Sequence, residues 1–306
     1  MGKIIKIGTR DSKLALWQAN TVAEKLNYLG FETEIISVKS EGDIILDKPL
    51  YELGITGIFT KTLDVAMISG QVDIAVHSMK DVPTALPKGI VQAAVLERAN
   101  TLDLLVHKGN LDFFENKGII ATGSLRRQAQ WLNKFPNHTT EDLRGNVITR
   151  LQKLEDNNWN GAIFAAAGLE RLNIKPENSI NLDWMIPAPA QGALMVVAME
   201  NDEFSLNALS KLNDEKTEIE THIERQFLRT LEGGCTAPIG ALATFVDEEN
   251  IYFKGILLSI TGQQKFEIER TISIENYKDF GNFAAKELLE NGGKELMQEI
   301  RNQLKK

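Results

Sequence analysis

Val72-Asp73-Ile74-Ala75-Val76-His77-Ser78-Met79-Lys80-Asp81-Val82-Pro83 is a short apolar strand that runs directly into a cluster of polar residues. Entered from Gly70-Gln71 and left through a proline, the apolar run reads as a strand buried on both faces. The polar residues then fall at its carboxyl end, where open α/β sheets carry their ligands. Working outward, strand patterns over residues 3–8, 31–38 and 90–96 surround it. They alternate with two helical patterns. One follows a cap at Asp11 or Ser12, with Leu14, Trp17, Val22 and Leu26 as apolar positions; the other covers residues 59–68. This βαβ rhythm predicts a largely parallel sheet covered by helices.

The rhythm restarts near residue 101. Residues 118–121 read as a strand, Thr122-Gly123-Ser124 as a turn and residues 125–134 as a helix. A strand over 146–149, a helix over 151–157 and a strand over 162–165 continue the pattern. A further apolar strand, 195–199, follows this second set and can return to the first sheet, which would make the first domain discontinuous. A helix over 215–231 leads into Leu231-Glu232-Gly233-Gly234-Cys235-Thr236-Ala237-Pro238. Beyond it, strands over 241–246, 251–260 and 264–272 precede helices over 276–291 and from 294 onward. Strands first and helices after predict a small α+β domain with an antiparallel sheet. The expected architecture is α/β: two doubly wound α/β domains plus this C-terminal domain, divided as 1–98 with 194–215, 99–193, and 216–306.

Composition narrows the function classes. At 306 residues there is room for two or three domains, and 43% hydrophobic with 25% charged residues is the balance of a globular protein. No apolar run approaches the ~20 residues of a membrane helix. Residues 1–8 are too short and too polar for an export signal and read as a strand, so a cytoplasmic protein is expected. A net charge of −8 disfavours nucleic acid as a partner but leaves room for a local basic pocket. Four scattered histidines predict no metal site, and neither a Gly-x-Ser-x-Gly elbow nor a Walker loop is present.

Such a pocket is written in the arginines. Arg10, Arg144, Arg150 and Arg171 lie at or near strand ends, Arg144 just before Gly145-Asn146 and Arg150 at the end of the strand that follows, and Arg126 and Arg127 lie in the first turn of the helix after residues 118–121. Guanidinium groups at helix N-termini make sites for planar anions. Arg126 and Arg127 are informative because a cation in a first helical turn opposes the helix dipole, at a cost of up to ~1 kcal/mol that an anion would offset. Asp81 is the best candidate for a catalytic carboxylate, able to stabilise a developing cation or exchange a proton, and Lys80 can bind an anion or tune it. His77 beside a strand reads as a structural hydrogen-bonding residue. Cys235, the single cysteine, has no disulfide partner; two preceding glycines and a following proline keep its thiol on a loop, where it can carry a group covalently.

These pieces in order resemble the porphobilinogen deaminase family, also called hydroxymethylbilane synthases. The resemblance spans nearly the whole chain. It is carried by Gly8-Thr9-Arg10-Asp11-Ser12 with Leu14-Ala15-Leu16-Trp17-Gln18, by Gly42-Asp43, by residues 73–83 quoted above and by Thr122-Gly123-Ser124-Leu125-Arg126-Arg127-Gln128. Leu143-Arg144-Gly145-Asn146-Val147, Ala166-Ala167-Gly168-Leu169, Pro187-Ala188-Pro189-Ala190-Gln191-Gly192-Ala193 and the Cys235 loop complete it. The resemblance implies two domains similar to those of periplasmic solute-binding proteins. It implies an enzyme of tetrapyrrole (haem) biosynthesis, a monomer, that joins four porphobilinogen molecules head to tail with loss of ammonia. The chain would grow on a dipyrromethane cofactor, thioether-linked to Cys235, and be released by hydrolysis as linear hydroxymethylbilane. Lys80, Ser124, Arg126, Arg127 and Arg150 would hold the cofactor acids; Arg10, Ser12, Gln18, Arg144, Arg171 and Gln191 would lie nearer the substrate; Asp81 would stabilise the developing cation. The chain departs from the family pattern at Glu41, Thr56, Thr62, Leu102 and Glu220. A non-enzymatic solute binder and a family member that has lost turnover are the competing readings. The former has no use for the cysteine-bearing domain, and the latter is opposed by the presence of both Asp81 and Cys235.

Overall fold

The computed structural model describes residues 3–38, 60–231 and 237–304. In chain order its elements begin with β1 (Ile5–Thr9), α1 (Lys13–Tyr28), β2 (Thr33–Ser37), α2 (Lys61–Ile68), β3 (Ile74–Ser78) and β4 (Ile90–Leu96). They continue with β5 (Asp103–His107), β6 (Ile119–Ala121), α3 (Leu125–Lys134), β7 (Thr139–Glu141), α4 (Val147–Asp156), β8 (Gly161–Ala165), α5 (Ala166–Glu170) and β9 (Ser179–Asn181). Then come β10 (Leu194–Met199), α6 (Glu203–Ser210), α7 (Glu215–Thr230), β11 (Ile239–Phe245), β12 (Asn250–Leu258), β13 (Lys265–Ser273), α8 (Tyr277–Leu288) and α9 (Lys294–Leu304). The described residues form two compact units: 3–38, 60–99 and 192–219 in the first, and 100–191, 220–231 and 237–304 in the second.

The first unit is built on a sheet of order β2-β1-β3-β10-β4. β1 pairs in parallel with β2 and β3, while β10 runs antiparallel between β3 and β4. The strand at 195–199 therefore does return to the first sheet. Ile5, Ile7, Ile74, Val76 and Val196 from the sheet pack with Ala19, Val22 and Leu26 of α1 to form the core. Ser12 starts α1, its Oγ accepting from Ala15 N at 3.3 Å.

The second unit repeats the plan. Its five-stranded sheet has the order β7-β6-β8-β5-β9, with β6 parallel to β7 and β8 and β5 antiparallel to β8 and β9. The inserted antiparallel strand is the last of its sheet to be made in the first unit and the first in the second. Leu105, Ile120, Trp131 and Ile163 fill one face, and Ala121, Leu143, Leu154 and Phe164 the other. A separate antiparallel sheet, β11-β12-β13, belongs to the same unit. Ile256 and Leu258 of β12 pack with Ala129 of α3, and Asn133 Nδ2 donates to Gly262 O at 2.7 Å.

One predicted strand is corrected. Residues 146–149 open helix α4, because Asn146 Oδ1 accepts from Thr149 N at 3.0 Å and caps it. The β-branched run Val147-Ile148-Thr149 favours a strand locally, but the cap and Gly145 at φ +111° set the chain into the helix. Arg150 thus lies in the first turns of α4 rather than at a strand end. The sequence patterns also gave no sign of β5, β7 and β9.

Gly123, between β6 and α3, is a close-approach position: a Cβ there would lie 2.5 Å from Leu143 O. Gly123→Ala is expected to destabilise the chain by about 1–3 kcal/mol. Urea unfolding measures it, and an unchanged midpoint would show that the turn yields without cost.

Candidate functional site

Because β1 and β3 are parallel neighbours, the residues that follow them emerge at the same end of the first unit's sheet. Arg10 leaves β1, and Ser78 leads from β3 into a 3-10 turn, Met79–Asp81. Arg10, Gln18, His77, Ser78 and Asp81 line one cavity together with Thr60 and Leu14. Gln18 is buried and donates from Nε2 to Ser78 Oγ at 2.8 Å, which fixes both side chains on the wall. Burial, and then the charge of Arg10, push the His77 imidazole down to about 4. His77 is therefore a neutral ring with weak basicity at neutral pH. Ser12 does not line this cavity; its hydroxyl is the cap of α1. Lys80 sits between Met79 and Asp81 in the 3-10 turn, half-buried like Asp81.

In the second unit the carboxyl ends of β6, β7 and β8 play the same part. Arg126 and Arg127, in the first turn of α3, are both buried. The anion that offsets them is internal: Asp103, 0% exposed at the head of β5. Arg127 donates to Asp103 Oδ1 from Nε at 3.0 Å and from Nη2 at 2.7 Å, and from Nη1 to Ile163 O at 3.0 Å. Arg126 Nη1 pairs with Asp103 Oδ2 at 2.8 Å and donates to Ile186 O at 2.7 Å. Gln191, 1% exposed, donates from Nε2 to Asp103 Oδ1 at 3.0 Å and to Thr101 O at 2.8 Å. Burial lowers the Arg126 guanidinium, with Asp103 opposing that shift and Arg127 adding to it. Arg126 Nε is buried and has no acceptor among the described residues. Ser124 is the N-cap residue of α3, yet its side chain makes no cap bond.

Three arginines complete the set. Arg144, before Gly145, is buried, and burial lowers its guanidinium against the pull of Asp142. Arg150 donates from Nε to Gly145 O at 2.7 Å. Arg171 caps the C-terminus of α5 and is pushed down to about 10 by burial, against Glu170.

The sequence reading missed two buried carboxylates. Asp103 had one signal: an acid at the head of the apolar run Leu104-Leu105-Val106, in a chain with two adjacent arginines that need a counter-ion. Glu224, 0% exposed on α7, accepts from Ala190 N at 2.6 Å and from Ala243 N at 2.8 Å; no sequence pattern pointed to it. Of the family departures, Glu220 accepts from Phe245 N at 3.2 Å, and Leu102 N donates to Asn100 Oδ1 at 2.9 Å. Thr62 lies half-buried on α2. Cys235, Glu41, Thr56 and Gly42-Asp43 lie outside the described residues.

Comparison with known proteins bears on the whole chain. Residues 5–207 match the family model "Porphobilinogen deaminase, dipyromethane cofactor binding domain", and residues 218–290 match "Porphobilinogen deaminase, C-terminal domain". A porphobilinogen deaminase of Nitratiruptor sp. is 41% identical over 300 residues, covering 96% of each chain. One from Geobacillus sp. is 41% identical over 312 residues, covering 99% of each. The chloroplastic porphobilinogen deaminase of Oryza sativa is 40% identical over 295 residues, covering 91% of this chain and 82% of its own. Among solved structures, the methionine binding protein MetQ aligns with a TM-score of 0.45 at 10% identity, covering 68% of this chain and 89% of its own. With both family models matched in order and identity near 40% over nearly its full length, the chain belongs to the porphobilinogen deaminase family.

Proposed function

We propose that the protein is a hydroxymethylbilane synthase. It is a transferase that condenses four porphobilinogen molecules head to tail, releases ammonia at each addition, and frees the linear tetrapyrrole by hydrolysis. The observation that carries this reading is the cavity of the first unit, which brings Asp81, Arg10 and Gln18 together in a chain of this family.

Porphobilinogen presents carboxylates, a pyrrole N–H and a leaving amine. Arg10 supplies a cation for a carboxylate, and Gln18, tied to Ser78, a fixed amide. As the aminomethyl C–N bond of the substrate breaks, its electron pair leaves with the protonated nitrogen as ammonia, and positive charge spreads over the pyrrole. The Asp81 carboxylate opposes that charge and accepts from the pyrrole N–H. His77, neutral and buried, orders the wall without exchanging the proton.

The residues of the second unit fit a dipyrromethane cofactor, whose side chains end in carboxylates. Arg126 keeps a buried donor without an acceptor among the described residues, and the Ser124 hydroxyl is not spent on its helix. Arg126, Ser124 and Arg150 are the residues assigned to hold it, with Arg127 turned inward as the anchor behind Arg126, and Cys235 the residue assigned to carry it. When bound, the cofactor supplies a nucleophilic pyrrole carbon on which the product is primed. Arg144 and Arg171 are assigned to substrate directly, Gln191 through its hold on Asp103, and Ser12 through its cap of α1 beside Arg10. Residues 216–306 are read as the part that carries the cysteine loop. A cytoplasmic monomer completes the proposal; among the described residues no helix is long and apolar enough to cross a membrane.

Denatured intact mass should exceed that of the sequence by two porphobilinogen units less the ammonia lost, with the excess mapping to Cys235. Cys235→Ser should carry no adduct, and turnover by that variant at the parent rate would refute the covalent primer. Asp81→Ala should keep the adduct and lose about 10²–10⁴-fold in kcat; parent-like turnover would remove Asp81 from the chemistry. His77→Gln should leave the shape of the kcat/KM profile between pH 5 and 8 unchanged, because a ring that titrates at about 4 stays neutral throughout. The same ring costs stability in acid. As pH falls from about 6.5 towards 4, the unfolded chain binds a proton that the native chain refuses. His77→Gln should therefore flatten the stability curve in that window and leave it unchanged above it; chemical denaturation at stepped pH makes the comparison.

A further inference from the structure

We propose that Asp103 is a positioning residue: a buried internal anion that orients Arg126 and Arg127 and, through Gln191, locks the 186–191 segment beside them. The proposal rests on the reading of Arg126 as a binder of the cofactor's carboxylates.

Three observations converge on it. The two arginines use Asp103 differently. Arg127 spends Nε and Nη2 on one oxygen of Asp103 and Nη1 on Ile163 O, so its fork is turned inward to β5 and β8. Arg126 meets Asp103 through Nη1, while its Nε remains a buried donor with no acceptor among the described residues. A single carboxylate thus separates a neighbouring pair into an inward anchor and a presented donor.

The backbone is held to the same point. Arg126 Nη1 and Gln130 Nε2 both donate to Ile186 O, at 2.7 and 2.9 Å, and Ile186 N donates to Gln130 Oε1 at 2.8 Å. Five residues on, Gln191 donates to Asp103 Oδ1 at 3.0 Å. Between them Ala190 is held at φ +63°, a conformation that a residue with a Cβ rarely adopts, and its N–H is clamped by Glu224 Oε2 at 2.6 Å. The segment is therefore fixed at both ends and strained inside, as expected of a wall whose shape matters.

Finally, the charge arithmetic points outward. One carboxylate faces two buried guanidiniums at 2.7 and 2.8 Å, which leaves this cluster with a surplus positive charge. A buried surplus cation is costly alone and receptive to an incoming anion. Asp103 lowers that cost enough for the arginines to sit inside the unit without cancelling both.

The test is the rate at which full-length chain, purified from cells that lack porphobilinogen, gains the cofactor mass after porphobilinogen is added. Asp103→Asn should load about 100-fold more slowly, since the anchor charge is lost. Asp103→Glu, which keeps the charge but moves it by one methylene, should load about tenfold more slowly. Phe113→Ala, a buried aromatic of the same unit outside the network, should lower the melting temperature yet load within about twofold of the parent. That contrast separates positioning from stability. Should Asp103→Asn not fold, Asp103→Glu decides. Loading within about twofold of the parent by either folded Asp103 variant would overturn the proposal while leaving the functional reading intact. A parent chain that never gains the mass would instead overturn the functional reading, and this proposal with it.

Discussion

Two guanidiniums share one buried carboxylate at Asp103, and much of the second unit is arranged around that contact. Asp103 heads β5, Arg126 and Arg127 open α3, Ile163 lies on β8, and Gln191 ends the irregular segment that precedes β10. In a low-dielectric interior such a cluster holds only if every member is in place. Removing one partner leaves an uncompensated charge and costs about 3–5 kcal/mol. The contact therefore fixes where α3 can start, and with it the Thr122-Gly123-Ser124 turn, where Gly123 passes close to Leu143 O.

The same logic explains why first-turn arginines are tolerated at all. A cation there is opposed by the helix dipole, and burial adds desolvation. Asp103 answers both. Its single charge against two is what separates this cluster from a closed, self-satisfied ion pair. The first unit solves a different problem in a different way: its cavity places one arginine, one carboxylate and a neutral imidazole at the end of β1 and β3, with Gln18 bonded to Ser78 as a rigid spacer. Burial and the charge of Arg10 keep His77 uncharged there, so the pocket does not accumulate a second cation at neutral pH.

Glu224 ties the C-terminal sheet to the rest of the second unit. One of its oxygens holds Ala243 of β11 and the other holds Ala190 in its left-handed conformation. A non-glycine residue at such a φ costs about 1–2 kcal/mol, and a buried carboxylate accepting from its N–H is a local means of offsetting it. The C-terminal strands are thereby linked to the segment that carries Gln191, and Gln191 in turn to Asp103. The three hydrogen-bonding side chains form a continuous path through the unit, made of residues that are distant in sequence.

Local pattern was enough for much of the architecture. Apolar runs and the turn signal at Thr122-Gly123-Ser124 placed α3 and β4 at their observed bounds, and the run 72–83 identified both a central strand and the polar cluster at its carboxyl end. Motif order made the family legible, because it depends on residues close together in the chain. Local pattern failed where a short-range preference was overruled, as at 146–149, where the Asn146 cap won over three β-branched residues. It failed too at three-residue strands such as β7 and β9, which exist only because a neighbouring strand supplies the hydrogen bonds. The sequence alone determined the alternating α/β plan and the family, and singled out the arginines and Asp81 as candidates for chemistry. Only the tertiary structure decided that Arg127 faces inward, that Ser12 rather than Asp11 caps α1, and that Asp103 and Glu224 are buried partners. Those assignments depend on contacts between residues as far apart as Asp103 and Gln191, and no periodicity along the chain encodes such a contact.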